Sequence, residues 1–100
     1  MGKCRIAIPE VAAGRSVAVA IEGQRVLICR SATGLHAVRD DCPHQNLSMD
    51  GGRVRGNSII CPHHGARFNL EDGHSMSPIT PKPLTVLSCR EQDGQLEVDL

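Results

Sequence analysis

Cys42-Pro43-His44 and Cys61-Pro62-His63-His64-Gly65 are the two stretches of this chain whose residue types could do chemistry together. Each offers one soft thiolate and at least one imidazole on a short, turn-prone segment. Sixteen residues separate His44 from Cys61. Two thiolates and two imidazoles can complete the shell of a [2Fe–2S] cluster, the cysteines binding one iron and the histidines the other. Each segment then supplies one ligand to each iron. The same side chains also suit a tetrahedral Zn²⁺ ion. Zinc motifs usually pair cysteine with cysteine at short spacing, and that pattern is absent here. Spacing alone leaves the second histidine open: His63 would give two Cys-x-His segments, whereas His64 gives Cys-x-x-His.

These segments need a rigid frame, and the rest of the chain reads as one built of strands. Lys3 to Ile8 is a strand ended by Pro9. Ser16 to Ile21 and Arg25 to Arg30 are β-branched runs around a turn at Glu22-Gly23-Gln24. Ser31 to Gly34 is the next turn, and Leu35 to Val38 the next strand. From Asp40 to Gly52 the chain is polar and rich in Asp, Asn, Pro and Gly, which predicts a loop. Ser58 to Cys61 is a short apolar run, Pro62 to Gly65 a tight loop, and Arg67 to Leu70 a strand running into Glu71-Asp72-Gly73. Ser75 to Pro83 carries Pro78, Pro81 and Pro83, which lack a backbone donor, so it reads as a loop outside the ladders. Leu84 to Ser88 and Gln95 to Leu100 are expected to form a last hairpin around Gln92-Asp93-Gly94. No segment has helical periodicity. Regular short strands of this kind predict an all-β sandwich or barrel.

Bulk composition narrows the function classes. One hundred residues suffice for a single domain over 1–100 and are too few for two. Eleven basic and eleven acidic residues cancel, so no net charge draws the chain to nucleic acid or an anionic membrane. No apolar run approaches the ~20 residues needed to span a bilayer. The start of the chain lacks the apolar core of a secretory signal, which predicts a soluble cytoplasmic protein. Phe68 is the only aromatic residue among Phe, Tyr and Trp, so the core is short of large rings and a metal would help to staple it. Five cysteines in such a setting read as metal ligands or buried thiols before disulfides. Cys4, Cys29 and Cys89 lie in expected strands and read as core.

The order of Cys42, His44, Cys61, Pro62, His64 and Gly65 resembles the Rieske proteins. It is most similar to the Rieske-type ferredoxins of bacterial aromatic-ring-hydroxylating dioxygenase systems. The resemblance runs from the strands before the ligand segments, through Ala66-Arg67-Phe68, to the Pro-rich loop and closing hairpin. It implies a Rieske-like antiparallel β-sandwich with a small inserted cluster-binding subdomain of two loops, about residues 40–66, on a base of 1–39 and 67–100. It assigns the ligands as Cys42, His44, Cys61 and His64, because the last histidine of the second loop binds in that family. His63 then reads as an exposed loop residue, and Pro78 to Pro81 as a third loop shielding the cluster. The Rieske proteins of respiratory complexes add a cysteine in each loop, joined as a disulfide. Leu47 and His63 stand at those positions here. Those proteins also place hydroxyl side chains where this chain has Ala66 and Phe68. Lost hydrogen bonds to sulfur lower the potential, which is expected near the bottom of the Rieske range, about −150 mV, yet above plant-type ferredoxins at about −400 mV.

The resemblance further implies a monomeric one-electron carrier between an NAD(P)H-dependent flavoprotein reductase and a terminal oxygenase. Catalysis within the chain is not expected. Only 36 residues follow His64, with His74 their single histidine, so a 2-His-1-carboxylate iron site cannot be assembled there. The alternatives are a small subunit of a nitrite-reductase-like complex and a zinc-stapled structural module. His36 and His74 read as ordinary strand and loop residues, Phe68 as a core anchor beneath the second loop, and Arg67 as paired with a nearby carboxylate, reaching a partner, or solvated.

Overall fold

The computed structural model describes residues 2–43, 46–63 and 65–100. Two of the expected ligands, His44 and His64, therefore lie outside the described residues. Ten strands follow in chain order: β1 Lys3–Ala7, β2 Ser16–Ile21, β3 Gln24–Ser31, β4 Gly34–Arg39, β5 Arg53–Arg55, β6 Ser58–Ile60, β7 Arg67–Asn69, β8 Val86–Leu87, β9 Cys89–Gln92 and β10 Gln95–Asp99. Every pairing is antiparallel, and the strands form three sheets ordered β1-β10-β9, β2-β3-β4-β8 and β5-β6-β7. No helix occurs among the described residues. The expectation of an all-β antiparallel sandwich holds.

The run Val26-Leu27-Ile28-Cys29 explains the layering. All four side chains are fully buried. Successive side chains of a strand point to opposite faces, so a continuous apolar run requires cover on both. Val26 and Ile28 pack with Ala37, Leu96 and Val98, in the core shared with the β1-β10-β9 sheet. Leu27 and Cys29 pack with Val38 into a second core holding Cys42, Met49, Cys61, Ala66 and Phe68. The β2-β3-β4-β8 sheet is thus a middle layer, with the base sheet on one side and the candidate ligand segments on the other.

Turn chemistry sets the registers. Glu22 and Gly23 both have positive φ (49° and 78°) and close β2 onto β3 with Ile21 opposite Gln24. Two left-handed residues make the hairpin turn that matches strand twist. Gln24 is consequently a strand residue rather than part of the turn. Asp93 and Gly94 repeat the device (54° and 75°) between β9 and β10. The expected final hairpin needs correction here. The partner of β10 is Cys89–Gln92, not Leu84 to Ser88; β8, within the latter run, pairs with β4 instead. Ser88 is the changeover between two sheets, which a continuous reading of the run could not separate.

Candidate metal centre

Each cysteine of the two segments directs a loop of the same construction. The Cys42 N–H donates to Leu47 C=O (2.9 Å), and the Asn46 N–H returns to Cys42 C=O (2.6 Å). The Cys61 N–H donates to Ala66 C=O (2.7 Å), and the Gly65 N–H returns to Cys61 C=O (3.0 Å). In both loops the residue four places after the cysteine is left-handed, Asn46 at φ 56° and Gly65 at φ 74°. Asn and Gly are the residues that tolerate this conformation best. The two cysteines are 1% and 2% exposed and belong to one packed cluster. No disulfide joins two cysteines among the described residues.

The first loop is held from below by Asp40, a fully buried carboxylate. Asp40 accepts from the Ser48 hydroxyl and from the Met49 N–H (2.6 Å). A buried carboxylate needs such donors to offset its lost hydration. The two loops are then joined across the gap, because Ser48 C=O accepts from His63 Nε2 (2.9 Å). Fixing the tautomer with Nε2–H protonated, the chain Asp40–Ser48–His63 spans from the protein interior to the second loop. His63 is exposed, as expected of it, but nothing in its spacing pointed to this tie.

Backbone approach is tight where the first loop leaves. A Cβ at Gly52 would lie 2.7 Å from Ile60 O and 2.9 Å from Met49 O, so only glycine lets this exit pass against the end of β6. The Pro-rich loop completes the surroundings. Lys82 and Pro83 share a cleft with Pro43 and Asn46 of the first loop. On the other side, the Met76 N–H donates to Arg67 C=O (2.7 Å), just beyond the second loop. Three large apolar residues are exposed among the described ones, namely Leu47, Met76 and Ile79, and all three stand on these loops.

The remaining candidates resolve simply. Cys29 is buried, and its thiol is pushed up to about 12 by burial first and then by the charges of Asp40 and Cys89. Cys4 and Cys89 are half-buried rather than core. Hydrogen bonding to Glu22 raises the Cys4 thiol above its ordinary value, and burial does the same for Cys89. His36 Nε2 meets the Ser31 hydroxyl (2.9 Å), and His74 Nδ1 meets Asp72 (2.6 Å). Phe68 is fully buried in the cluster with Cys42 and Cys61, as the sequence suggested. Arg67 is half-buried, and its Nε donates to the Ser58 hydroxyl (2.8 Å). Among the described residues no three His, Cys, Asp or Glu side chains group as a metal site. Two buried soft sulfur donors on matched loops nevertheless fit an iron–sulfur cluster, which needs two such thiolates on one iron.

Comparison with known proteins agrees with this geometry. Residues 3–95 match the family described as the Rieske [2Fe-2S] domain. The 4beta-methylsterol monooxygenase of Methylococcus capsulatus is 44% identical over 48 residues, 47% of this chain and 13% of that protein. The 3-phenylpropionate/cinnamic acid dioxygenase ferredoxin subunit of Escherichia coli K12 is 32% identical over 66 residues, 65% of this chain and 62% of that one. The match thus spans less than two thirds of either relative, though far more of the ferredoxin subunit than of the monooxygenase. Among solved structures, the ferredoxin of carbazole 1,9a-dioxygenase from Nocardioides aromaticivorans IC177 superposes with a TM-score of 0.85 over 98% of this chain and 97% of its own, at 20% identity. A putative NADH-dependent nitrite reductase small subunit from Mycobacterium tuberculosis gives 0.80 over 96% and 94%, at 23% identity. These two likenesses speak for the fold alone. No described helix is long and apolar enough to cross a membrane. With the family match running over nearly its whole length and two buried thiols on twin loops, the chain belongs to the Rieske [2Fe–2S] domain family.

Proposed function

We propose that this protein is a one-electron carrier whose cluster is held by Cys42 and Cys61 on one iron and by His44 and His64 on the other. The observation that carries the reading is the repeated loop geometry, which sends both cysteines into one buried cluster. When bound, the cluster supplies a site that takes up and releases single electrons. The chain's own residues do the rest. Asp40, Ser48 and His63 hold the loops together, and Phe68 and Met49 exclude water beneath them. Electrons would come from an NAD(P)H-dependent flavoprotein reductase and go to a terminal oxygenase. Leu47, Met76 and Ile79 offer the small apolar footprint that suits brief redox encounters. The carrier would work as a cytoplasmic monomer. A second reading, a small subunit of a nitrite-reductase-like complex, has the same fold to stand on. A stable complex with a larger reductase chain would select it.

The deciding experiment is low-temperature EPR and visible absorption of the anaerobically purified, dithionite-reduced protein. A red-brown protein with average g near ~1.9 is expected, because nitrogen donors alter the electronic environment of one iron. The variants Cys42→Ser, Cys61→Ser, His44→Ala and His64→Ala should each lose that signal, and His63→Ala should keep it. A colourless protein with one tightly held zinc would overturn the reading.

A further inference from the structure

The described residues balance their charges unevenly between sheets. On the base sheet, Glu97 draws in Lys3 (3.8 Å), Arg5 (3.4 Å) and Arg90 (3.1 Å), so those cations are answered within the molecule. On the β5-β6-β7 sheet they are not. Register puts Arg53, Ile60 and Arg67 in one cross-strand row, and Arg55, Ser58 and Asn69 in the next. Residues in cross-strand register and two apart along a strand share a face. The opposite face, Val54, Ile59 and Phe68, is the buried one. Three arginines therefore stand on one outward face, with none of them in an ion pair among the described residues. Glu71, in the turn that follows β7, is bound by Asn57 Nδ2 (3.2 Å).

Arg67 is also held in place. Its Nε donates to the Ser58 hydroxyl (2.8 Å), which in turn donates to Arg55 C=O (2.8 Å). A guanidinium fixed at Nε keeps its terminal N–H groups for a planar anion. Ile60, between Arg53 and Arg67, is half-buried and supplies an apolar centre to a cationic rim. The chain is neutral overall, so this patch is a local arrangement and not a result of net charge. Its position matters as well: Ile60 immediately precedes Cys61, and Arg67 opens the strand that leaves the second loop.

We infer that the Arg53–Arg55–Arg67 face is a docking surface for a redox partner whose own contact surface is acidic, adding charge to the apolar footprint that Met76, bonded to Arg67 C=O, shares. This rests on the electron-carrier reading and adds the charge of the partner to it. Such a face speeds encounters through electrostatic steering, which salt screens.

The test is stopped-flow oxidation of the dithionite-reduced protein by anionic hexacyanoferrate(III) and, separately, by cationic hexaamminecobalt(III). One electron leaves the protein and reduces the metal of the oxidant. The anionic oxidant should slow about tenfold from low to high salt, about 10 mM to about 0.5 M, while the cationic one does not slow. Poly-L-glutamate should compete with the anionic oxidant. R53Q/R55Q should remove most of both effects, R53K/R55K should keep them, and K3Q, on the base sheet, should leave them unchanged. Equal salt slopes for the two oxidants, or a slope untouched by R53Q/R55Q, would overturn the inference alone. A chain that takes up no electron at all would overturn the carrier reading and the inference with it.

Discussion

His63 shows what a single side chain can do that its type does not announce. The Cys-x-His and Cys-x-x-His spacing was open to reading because ligand chemistry restricts both residue type and separation. The tie from His63 to Ser48 C=O has no such signature, since a backbone carbonyl fifteen residues away is the same whatever residue bears it. The same holds for Asp40, whose role depends on burial and not on any local pattern. Where respiratory-type Rieske proteins carry a disulfide between the loops, a hydrogen bond stands here. A neutral hydrogen bond contributes about 1 kcal/mol, or roughly a factor of five in an equilibrium. His63→Leu should therefore hasten aerobic bleaching of the visible bands about fivefold, with the EPR line positions retained. An unchanged bleaching rate would show that the tie does not hold the loops. Cys29 makes a second case. Its thiol, raised to about 12, should resist iodoacetamide in the folded protein at neutral pH and react once the chain is unfolded, as mass spectrometry of labelled peptides would show.

At the scale of elements, the places of the hairpin turns were plain, though each turn was read a residue or more too long, and β5 was not. Arg53-Val54-Arg55 is three residues long with two charges, too short for alternation to rise above its surroundings. It becomes a strand because Val54 is buried and because β6 offers it a ladder. The misassigned closing hairpin has a related cause. Leu84 to Ser88 is apolar, but Val86 and Leu87 are claimed by β4, which no feature local to the run can reveal. The base sheet supports a prediction of its own. Burial pushes the Glu97 carboxyl up, but Arg90, Arg5 and Lys3 together outweigh it and hold the group below its ordinary value of 4.5. A depressed carboxyl binds protons less readily folded than unfolded, so its stabilisation is full above the unfolded value and fades as pH falls through the folded one. Glu97→Gln should melt below the wild type at pH 7, with the gap closing below about pH 4.5. Melting midpoints by circular dichroism across that window would check it; a gap that widened toward acid would refute the assignment.

For the molecule as a whole, an all-β sandwich was legible from strand spacing, but the middle layer was not read, although the buried run Val26 to Cys29 carries it. The sharing of a single core between that layer and both cysteines was not, because it depends on packing between segments far apart in sequence. That shared core bears on the redox potential. Ala66 and Phe68 are both fully buried beside the cysteines, and neither can donate a hydrogen bond from its side chain. Protein-film voltammetry should place the potential near about −150 mV. Ala66→Ser, supplying one donor worth about 1 kcal/mol, should raise it by about 40 mV. A potential already well above zero in the wild type would mean that other donors reach the sulfurs.

Phe68 has one more consequence. It is the chain's single phenylalanine, sealed in the interior, and there is no tryptophan or tyrosine anywhere. The polypeptide is consequently almost transparent in the near ultraviolet and has no intrinsic fluorophore of use. Any band seen there or at longer wavelength belongs to whatever the loops hold. The protein is thus its own optical blank, and a plain absorption trace can follow loading, reduction and loss of the bound group without a correction for the chain around it.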